Sequence, residues 1–176
     1  DTGVGAVFRY IPNEVPTLDS LNVPEVVRSF CDYHQGMVLV TGSTGTGKST
    51  TLAAMIDHLN STRSLNIISL EAPIEFVHPS KSSQVIQREL GTHLTSFADG
   101  VRSAMREDPD VILVGELRDA DTISMAMTAA ETGHLVLGTL HTTGAVKTID
   151  RIIDALPGDL REQTKSFLSQ SLKAVV

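Results

Sequence analysis

The chain has a single cysteine, Cys31, among 176 residues. One cysteine excludes an internal disulfide framework and a zinc site built from four cysteines, and it is typical of a reducing compartment. Basic residues are also scarce, since 14 Lys and Arg stand against 21 Asp and Glu, for a formal net charge of −7. A net negative charge does not favour binding to nucleic acid or anionic lipid, which are also negative, so we expect no nucleic-acid partner.

Long apolar runs are lacking as well. No stretch approaches the ~20 consecutive apolar residues of a membrane-spanning helix, and no signal peptide is visible. The chain begins at Asp1 and not at Met, so we expect a piece of a longer protein. The composition, 41% hydrophobic and 20% charged residues, is ordinary for one globular domain of this length.

The strongest motif is a glycine-rich stretch between a strand pattern and a helix pattern. The apolar run 37–40 predicts a buried strand, and residues 50–56 continue as a helix. Residues 42–49 fit the G-x-x-x-x-G-K-[ST] pattern of a phosphate-binding loop. Because strand, loop and helix follow one another as this mechanism requires, we predict a nucleoside triphosphate site.

Each residue type in this loop has a physical task. Its glycines allow backbone angles at which successive N–H groups surround an anion, and the following helix start adds unpaired N–H groups and a positive dipole end. Lys48 reaches the β and γ phosphates, and the Ser49 hydroxyl is placed to bind Mg²⁺. The predicted nucleotide-binding residues are Gly42, Ser43, Thr44, Gly45, Thr46, Gly47, Lys48, Ser49 and Thr50.

Strand and helix patterns alternate along the chain. Further strands are predicted at 66–70, 83–90, 111–114 and 135–140, and helices at 96–106, 121–132, 143–154 and 159–176. This alternation predicts an α/β fold with a mostly parallel sheet flanked by helices, because parallel strands need crossover connections. Residues 1–16, with a strand at 5–12, are predicted to be the end of an upstream domain and a linker, and residues 17–176 the nucleotide-binding domain.

Polar residues follow the carboxyl ends of the predicted strands, where parallel sheets bind ligands. Glu71 and Glu75 follow one strand and Glu116 follows another. Glu116 is predicted to orient and polarise the attacking water, since a carboxylate there is placed to accept a water proton near the γ-phosphate. The alternative is an exposed loop glutamate paired with Arg118.

His141 follows a further strand and is the predicted γ-phosphate sensor. His134 lies ~23 Å from it if the segment is extended, so it is interpreted as a structural or subunit-contact residue. Gly115 stands where a magnesium-binding Asp is often found, so Mg²⁺ is predicted on Ser49, the phosphates and water, with Glu71 or Glu75 acting through water.

Four segments together resemble the motifs of type II and type IV secretion and pilus ATPases. They are the loop at 42–50, Glu-Ala-Pro-Ile-Glu at 71–75, the segment 106–119 that contains Gly-Glu-Leu-Arg-Asp, and the segment 132–142 that ends in Leu-His-Thr. The resemblance extends over about residues 5–176 and is strongest to the type IV pilus retraction ATPases, through residues 141–151. The four-cysteine zinc insert of the assembly and type II secretion branch has no counterpart here.

This resemblance implies a RecA-like P-loop motor domain in a homo-hexameric ring, with ATP and Mg²⁺ at subunit boundaries. Hydrolysis would move an inner-membrane pilus platform protein, which implies a cytoplasmic protein held at the inner membrane through partners. It also implies an upstream domain that supplies arginine fingers, and C-terminal truncation relative to the family. Arg9 matches one finger position, with an exposed strand arginine as the alternative. We expect this piece alone to hydrolyse ATP poorly.

One residue departs from the family pattern, because Ala72 replaces the Asp of an acidic box that usually reads Glu-Asp-Pro-Ile-Glu. We expect turnover to fall while binding through Lys48 survives. Two alternatives therefore stay open within the family, a weakly hydrolysing regulatory paralogue in mixed rings and a type II secretion or pilus assembly ATPase. A nucleic-acid translocase on the same core is disfavoured by the net charge.

Overall fold

A computed structural model of the chain describes residues 3–6 and 14–176. Arg9 and most of the strand predicted at 5–12 lie outside these residues, and the domain boundary after residue 16 stays a prediction. Among the described residues, no helix combines the length and the apolar character needed to cross a membrane.

Strands and helices alternate as the sequence pattern predicts. The strands are β1 (Gly36–Thr41), β2 (Asn66–Glu71), β3 (Gln84–Glu89), β4 (Val111–Val114), β5 (Leu135–Leu140) and β6 (Leu172–Val175). The helices are α1 (Glu25–Ser29), α2 (Lys48–Thr62), α3 (Phe97–Ala104), α4 (Ala120–Glu131), α5 (Ala145–Ala155) and α6 (Arg161–Ser171). Short 3-10 turns occupy Phe30–Asp32 and Gly158–Leu160.

All six strands form one sheet in the order β3-β2-β4-β5-β1-β6, and every neighbouring pair is parallel. The prediction of a mostly parallel sheet flanked by helices is therefore confirmed. Because all strands run the same way, the carboxyl ends of β1, β2, β4 and β5 meet at one edge. The segments that follow these four strands carry the predicted site residues.

Side chains of the central strands alternate between two apolar cores, one on each face of the sheet. Met37 and Leu39 of β1 enter the core that contains residues of α3 to α6, whereas Val38 and Val40 enter the core beside α1 and α2. A sheet covered on both faces needs apolar residues at successive positions, which explains the continuous hydrophobic runs of these strands.

Two helices on the first of these faces begin at side-chain caps. The Ser96 hydroxyl accepts a hydrogen bond from the backbone N–H of Asp99 at 3.1 Å and so caps α3. The Asp119 carboxylate caps α4 by accepting from the N–H of Thr122 at 2.8 Å. Both caps satisfy an N–H group that the helix leaves without an internal partner.

The helix predicted at 159–176 is wrong at its C-terminal end. Helix α6 stops at Ser171, and the next residues form the edge strand β6 against β1. The N–H of Val176 donates to the carbonyl of Leu39, and the carbonyl of Val176 accepts from the N–H of Thr41. Residues 172–174 are Leu, Lys and Ala, which favour helices locally, but pairing with a distant strand outweighs that local preference.

Removing core volume from the central strand β4 should destabilise the fold. Ile112 is fully buried and pairs with Ile68 and Val136. We expect Ile112→Ala to lower the free energy of unfolding by about 2–5 kcal/mol, because it removes apolar contacts and leaves a cavity. Urea denaturation measures this change. Val146→Ala, at a side chain that is 73% exposed, is the control and should stay within about 0.5 kcal/mol.

Candidate functional site

A cleft of about 990 Å³ lies at the carboxyl edge of the sheet, where the phosphate-loop motif meets the segments after β2, β4 and β5. Its lining includes the predicted catalytic and metal-binding residues Lys48, Ser49, Glu71, Glu75, Glu116 and His141. The structure therefore brings these six residues together, as expected from their positions at strand ends. Arg9, the remaining predicted catalytic residue, lies outside the described residues.

The loop between β1 and α2 is held open by glycine conformations. Gly42, Gly45 and Gly47 have φ angles of 140°, 82° and 97°, which side chains disfavour. A Cβ atom on Gly42 would also approach the Thr46 hydroxyl oxygen to 2.7 Å. Inside the loop, that hydroxyl donates to the carbonyl of Ser43 at 2.8 Å. The loop thus has the backbone shape that the phosphate-binding pattern predicts.

Helix α2 begins directly after Gly47 and has no side-chain cap. The N–H groups of an uncapped first turn keep their capacity to bind an anion, and the helix dipole favours negative charge there. Ser49 and Thr50 belong to this turn and line the cleft. The start of α2 therefore fits the predicted phosphate site.

The Lys48 ammonium lies over the loop. Its Nζ donates to the carbonyl oxygens of Gly42 and Ser43 at 2.9 and 3.0 Å, and it lies 3.5 Å from Nδ1 of His141. An ammonium has no acceptor, so in this contact Nδ1 accepts and the ring proton is assigned to Nε2. The contact links the loop to the end of β5.

His141 and Glu116 are in direct contact. The distance between Nε2 of His141 and Oε1 of Glu116 is 3.1 Å, and the other carboxylate oxygen, Oε2, lies 2.9 Å from Nε of Arg118. Glu116 therefore makes both the alternative pairing with Arg118 and the contact with His141. Arg118 is 73% exposed and Glu116 only 23%, so solvent screens the arginine pair more than the side of Glu116 that faces the cleft.

Glu71 is a partly buried carboxyl group. Its Oε1 accepts hydrogen bonds from the Ser69 hydroxyl at 2.7 Å and from the side-chain amide of Gln87 at 2.9 Å. Burial raises the pKa of Glu71, and the nearby charge of Glu75 acts in the same direction. The bonds from Ser69, from Gln87 and from the backbone of Glu75 oppose this rise in pKa, since they favour the ionised form.

The residues at the cleft fit Mg²⁺ only if other ligands complete its coordination shell. Within the described residues, no group of three or more His, Cys, Asp or Glu side chains is arranged to hold a metal by itself. Ser49, Glu71 and Glu75 supply oxygen donors at the cleft, and Mg²⁺ commonly completes its shell with phosphate oxygens and water. These donors fit a metal that binds together with a phosphate ligand.

At position 115, where a magnesium-binding Asp is often found, a side chain would be crowded by the backbone of β2. A Cβ atom there would lie 3.1 Å from the carbonyl oxygen of Leu70 and 3.4 Å from Cα of Glu71. The close approach arises because the N–H of Gly115 donates to that same Leu70 carbonyl at 2.8 Å. The close approach of β2 thus favours a small residue at position 115.

The two histidines near β5 lie at its opposite ends, as predicted. His134 precedes the strand, its carbonyl accepts from the N–H of Gly36, and its Nδ1 lies 2.9 Å from the carbonyl of Ala129 near the end of α4. These contacts agree with a structural role. His141 follows the strand and lines the cleft.

Three polar residues at the site were missed by sequence reasoning. Ser69 and Gln87 hold Glu71, and the hydroxyl of Thr139 donates to the carbonyl of Gly115 beneath Glu116. Ser69 and Thr139 are buried within otherwise apolar strands. A hydroxyl in such a run was a usable signal, because a buried polar group needs a partner. Gln87 lies in a strand of mixed polarity and carried no such signal.

A parallel sheet with a glycine-rich phosphate loop between β1 and α2 defines the class of RecA-like P-loop domains. The sequence profile of the family described as "Type II/IV secretion system protein" matches residues 18–176. The chain belongs to this family.

Relatives with pilus functions are highly similar to the chain. A "Twitching motility protein" of Neisseria gonorrhoeae is 58% identical over 174 residues, which cover 99% of this chain and 46% of the relative. The "Type IV pilus retractation ATPase PilT" of Pseudomonas aeruginosa is 56% identical, with coverages of 99% and 51%. The predicted resemblance to the retraction branch is confirmed. The chain spans about half the length of these relatives.

A solved structure shares the fold. The crystal structure of the pilus retraction motor PilT with bound ADP superimposes with a TM-score of 0.93 at 51% sequence identity, covering 95% of this chain and 49% of that one. The RecA-like α/β fold is therefore confirmed.

The raised pKa of Glu71 should be visible in the pH dependence of stability. A carboxyl group whose pKa is higher in the folded than in the unfolded state stabilises the fold below its unfolded pKa, and this contribution is lost as the pH rises through the folded pKa. We expect Glu71→Gln to reduce this loss of stability at higher pH. The amide oxygen still accepts hydrogen bonds from Ser69 and Gln87, but the side chain does not ionise. Its stability relative to wild type should rise from pH 4 to pH 7.

Urea denaturation at a series of pH values measures this difference. Glu131→Gln, at an exposed position at the end of α4, is the matched control for loss of one carboxylate. A Glu71→Gln variant that changes with pH as the Glu131→Gln variant does would contradict the assignment of a raised pKa to Glu71.

Proposed function

We propose that the protein containing this chain is an ATP-hydrolysing motor of type IV pilus retraction, and that residues 17–176 form its RecA-like nucleotide-binding domain. The observation that carries the proposal is the contact of Lys48 with His141 and of His141 with Glu116 beside the glycine loop. Lys48, which we propose binds phosphate, and Glu116, which we propose orients water, both line this cleft. The family membership and the names of the similar proteins support the same function.

Residues 42–50 bind the triphosphate in this proposal. Backbone N–H groups of the loop and of the first turn of α2 surround the phosphates, and Lys48 exchanges the carbonyls of Gly42 and Ser43 for the β and γ phosphate oxygens. Ser49 and Glu75 would hold Mg²⁺, which would supply charge neutralisation at the phosphates.

Glu116 orients and polarises the attacking water and accepts its proton. His141 reports the γ-phosphate, because the move of Lys48 to phosphate removes the ammonium beside Nδ1 while Nε2 keeps its contact with Glu116. Glu71 acts on the same reaction as a second carboxylate near the metal. Each of these steps uses a group that already lines the cleft.

The ring and its partners complete the proposal. We infer a homo-hexamer in which Arg9, or another arginine of the upstream domain, reaches the nucleotide of the neighbouring subunit. Hydrolysis moves a pilus platform protein of the inner membrane, which places the motor in the cytoplasm at that membrane. The chain alone would hydrolyse ATP slowly, because charges from neighbouring subunits assist the reaction.

Ala72 favours a second candidate function. It leaves the acidic segment after β2 with Glu71 and Glu75, whereas the related ATPases usually have a further carboxylate between them. A protein that binds ATP through Lys48 but hydrolyses it weakly would then act as a regulatory subunit in mixed rings. Affinity for ATP without phosphate release above that of Lys48→Ala would favour this candidate.

Replacing Glu116 tests the proposed reaction. We expect Glu116→Gln in the full-length protein to lower the steady-state rate of ATP hydrolysis by ~100-fold or more, because the amide does not accept the proton of water. Binding of a fluorescent ATP analogue should stay within about twofold, since the phosphate-binding groups remain.

Two controls accompany this measurement. Lys48→Ala should weaken analogue binding by at least ~10-fold, because it removes a charged phosphate contact. Glu131→Gln, an exposed carboxylate away from the cleft, should change neither quantity. A Glu116→Gln variant with the parental hydrolysis rate would rule out the proposed role of Glu116.

The acidic segment allows a gain-of-function test. Ala72 is exposed and lines the cleft, so an Asp side chain there has space to reach a metal or water. We expect Ala72→Asp to raise the steady-state rate by about 3–10-fold if turnover is limited by the missing carboxylate, a change of about 1 kcal/mol in the barrier. Ala72→Asn, which has the same shape without the charge, is the matched control. Equal rates for both variants and the parent would make Ala72 a neutral replacement.

A further inference from the structure

Asn60 is a fully buried polar residue near the C-terminal end of α2. The same helix begins at Lys48, and Asn60 lies about 18 Å along the helix axis from it, because each residue adds about 1.5 Å. A buried amide needs hydrogen-bond partners, since burial without them costs free energy. The partners of Asn60 therefore show what the far end of the phosphate-loop helix holds.

The side chain of Asn60 bonds to the backbone of a segment that follows the cleft residue Glu75. Its Nδ2 donates to the carbonyl of Pro79 at 2.8 Å, and its Oδ1 accepts from the N–H of Lys81 at 3.0 Å. These partners define the orientation of the amide, because a flipped amide would place its oxygen against the carbonyl and its NH₂ group against the N–H. One side chain thus holds two backbone groups of this segment.

The backbone carbonyl of Asn60 extends the contact. It accepts from the N–H groups of Ser82 and Ser83 at 2.9 and 3.3 Å. This carbonyl belongs to the last turn of α2, where an α-helix leaves its carbonyls without internal partners. The end of the helix and residues 79–83 therefore satisfy each other's hydrogen-bonding groups.

Residues 72–83 form no helix or strand, so their position depends on contacts of this kind. The segment carries Glu75 at the cleft and leads to the start of β3. Side chains of β3 hold its first half, since they accept from the N–H groups of Ile74 and His78 at 3.0 and 2.8 Å. Asn60 holds its second half from the opposite side, on α2.

A surface ion pair accompanies the Asn60 bonds. The Nζ atom of Lys81 lies 2.6 Å from Oδ1 of Asp57, one turn earlier on α2. The Lys81 side chain is 41% exposed, so solvent screens this pair, whereas the Asn60 amide is removed from water. Lys81→Met separates the two attachments, because it removes the ammonium and keeps the N–H that bonds to Asn60.

We propose that Asn60 is a positioning residue, which fixes the segment carrying Glu75 relative to the phosphate-loop end of α2. Asn60 and Lys48 belong to one helix, so the segment and the phosphate loop are attached to the same rigid element. The attachment itself is independent of any reaction. Its effect on turnover rests on the proposed ATPase function.

Hydrogen exchange of the full-length protein without nucleotide measures the attachment. We expect Asn60→Leu to speed exchange of the N–H groups at 81–83 by ~10-fold or more, because both side-chain bonds are lost with little change in volume. Asn60→Asp keeps the shape and the acceptor for Lys81 and loses the bond to Pro79, so it should speed exchange by about threefold. This milder variant provides the test if the leucine variant does not fold.

Steady-state kinetics of the same proteins measure the consequence for turnover. Asn60→Leu should lower kcat for ATP hydrolysis by about 10-fold and leave KM within about twofold, because the phosphate loop is unchanged while the acidic segment is no longer fixed. Asn60→Asp should lower kcat by a smaller factor. Rates are divided by the number of sites that bind a fluorescent ATP analogue, so a loss of folded protein alone does not lower kcat.

Three variants control for charge, for the helix end and for stability. Lys81→Met should leave exchange and kcat within about twofold of the parent, because the buried bonds to Asn60 remain. Thr62→Val removes a hydroxyl that bonds only within α2, and it should change neither quantity. Leu168→Ala, at a buried position of α6, should lower the free energy of unfolding and leave kcat and KM within about twofold.

The possible outcomes separate this inference from the proposed function. Parental exchange at 81–83 in both Asn60 variants overturns the attachment. Faster exchange with parental kcat, or with a raised KM alone, overturns the positioning role in an active enzyme. Faster exchange in variants of a full-length protein that hydrolyses no ATP contradicts the proposed function and supports the attachment. Faster exchange with a lowered kcat at unchanged KM supports both.

Discussion

Parallel pairing of β2, β4, β5 and β1 is the constraint on which the site depends. It brings the glycine loop, Glu71, Glu116 and His141 to one edge of the sheet, although almost a hundred positions of the printed sequence separate the first from the last. Parallel strands require coverage on both faces, and the two apolar cores provide it. The rigidity of those cores allows short polar contacts to persist at the open edge.

The charges that line the cleft include the cations Lys48 and Arg118 and several carboxylates. Lys48 is held by neutral carbonyl oxygens and by an imidazole nitrogen and forms no direct ion pair within the described residues. Glu71, Glu75 and Glu116 contribute negative charge at the same cleft. These carboxylates would repel an anionic ligand, whereas the Lys48 ammonium would attract it. With Ala72 between them, Glu71 and Glu75 are the carboxylates of the segment after β2 that line the cleft.

Local sequence patterns predicted the elements with strong hydrophobic or capping signals. The runs in β1, β4 and β5 are apolar at nearly every position because both faces are covered, and Ser96 begins α3 as its side chain suggests. The end of α6 was mispredicted, since residues 172–175 gain more from pairing with β1 than from continuing a helix. Gln87 and Thr139 were missed because their partners lie 16 and 24 residues away in sequence, whereas Ser69 was missed although Glu71 is only two residues away.

By itself the sequence determined the phosphate-loop motif, the succession of strands and helices from β1 to α6 along the chain, and which polar residues follow each strand. These properties depend on backbone torsions, side-chain periodicity and capping, which act over a few neighbouring residues. Only the tertiary structure decided the strand order, the contact of His141 with both Lys48 and Glu116, and the hydrogen bonds that hold Glu71. Those outcomes depend on burial and on pairing between distant segments, which no local pattern of residues specifies.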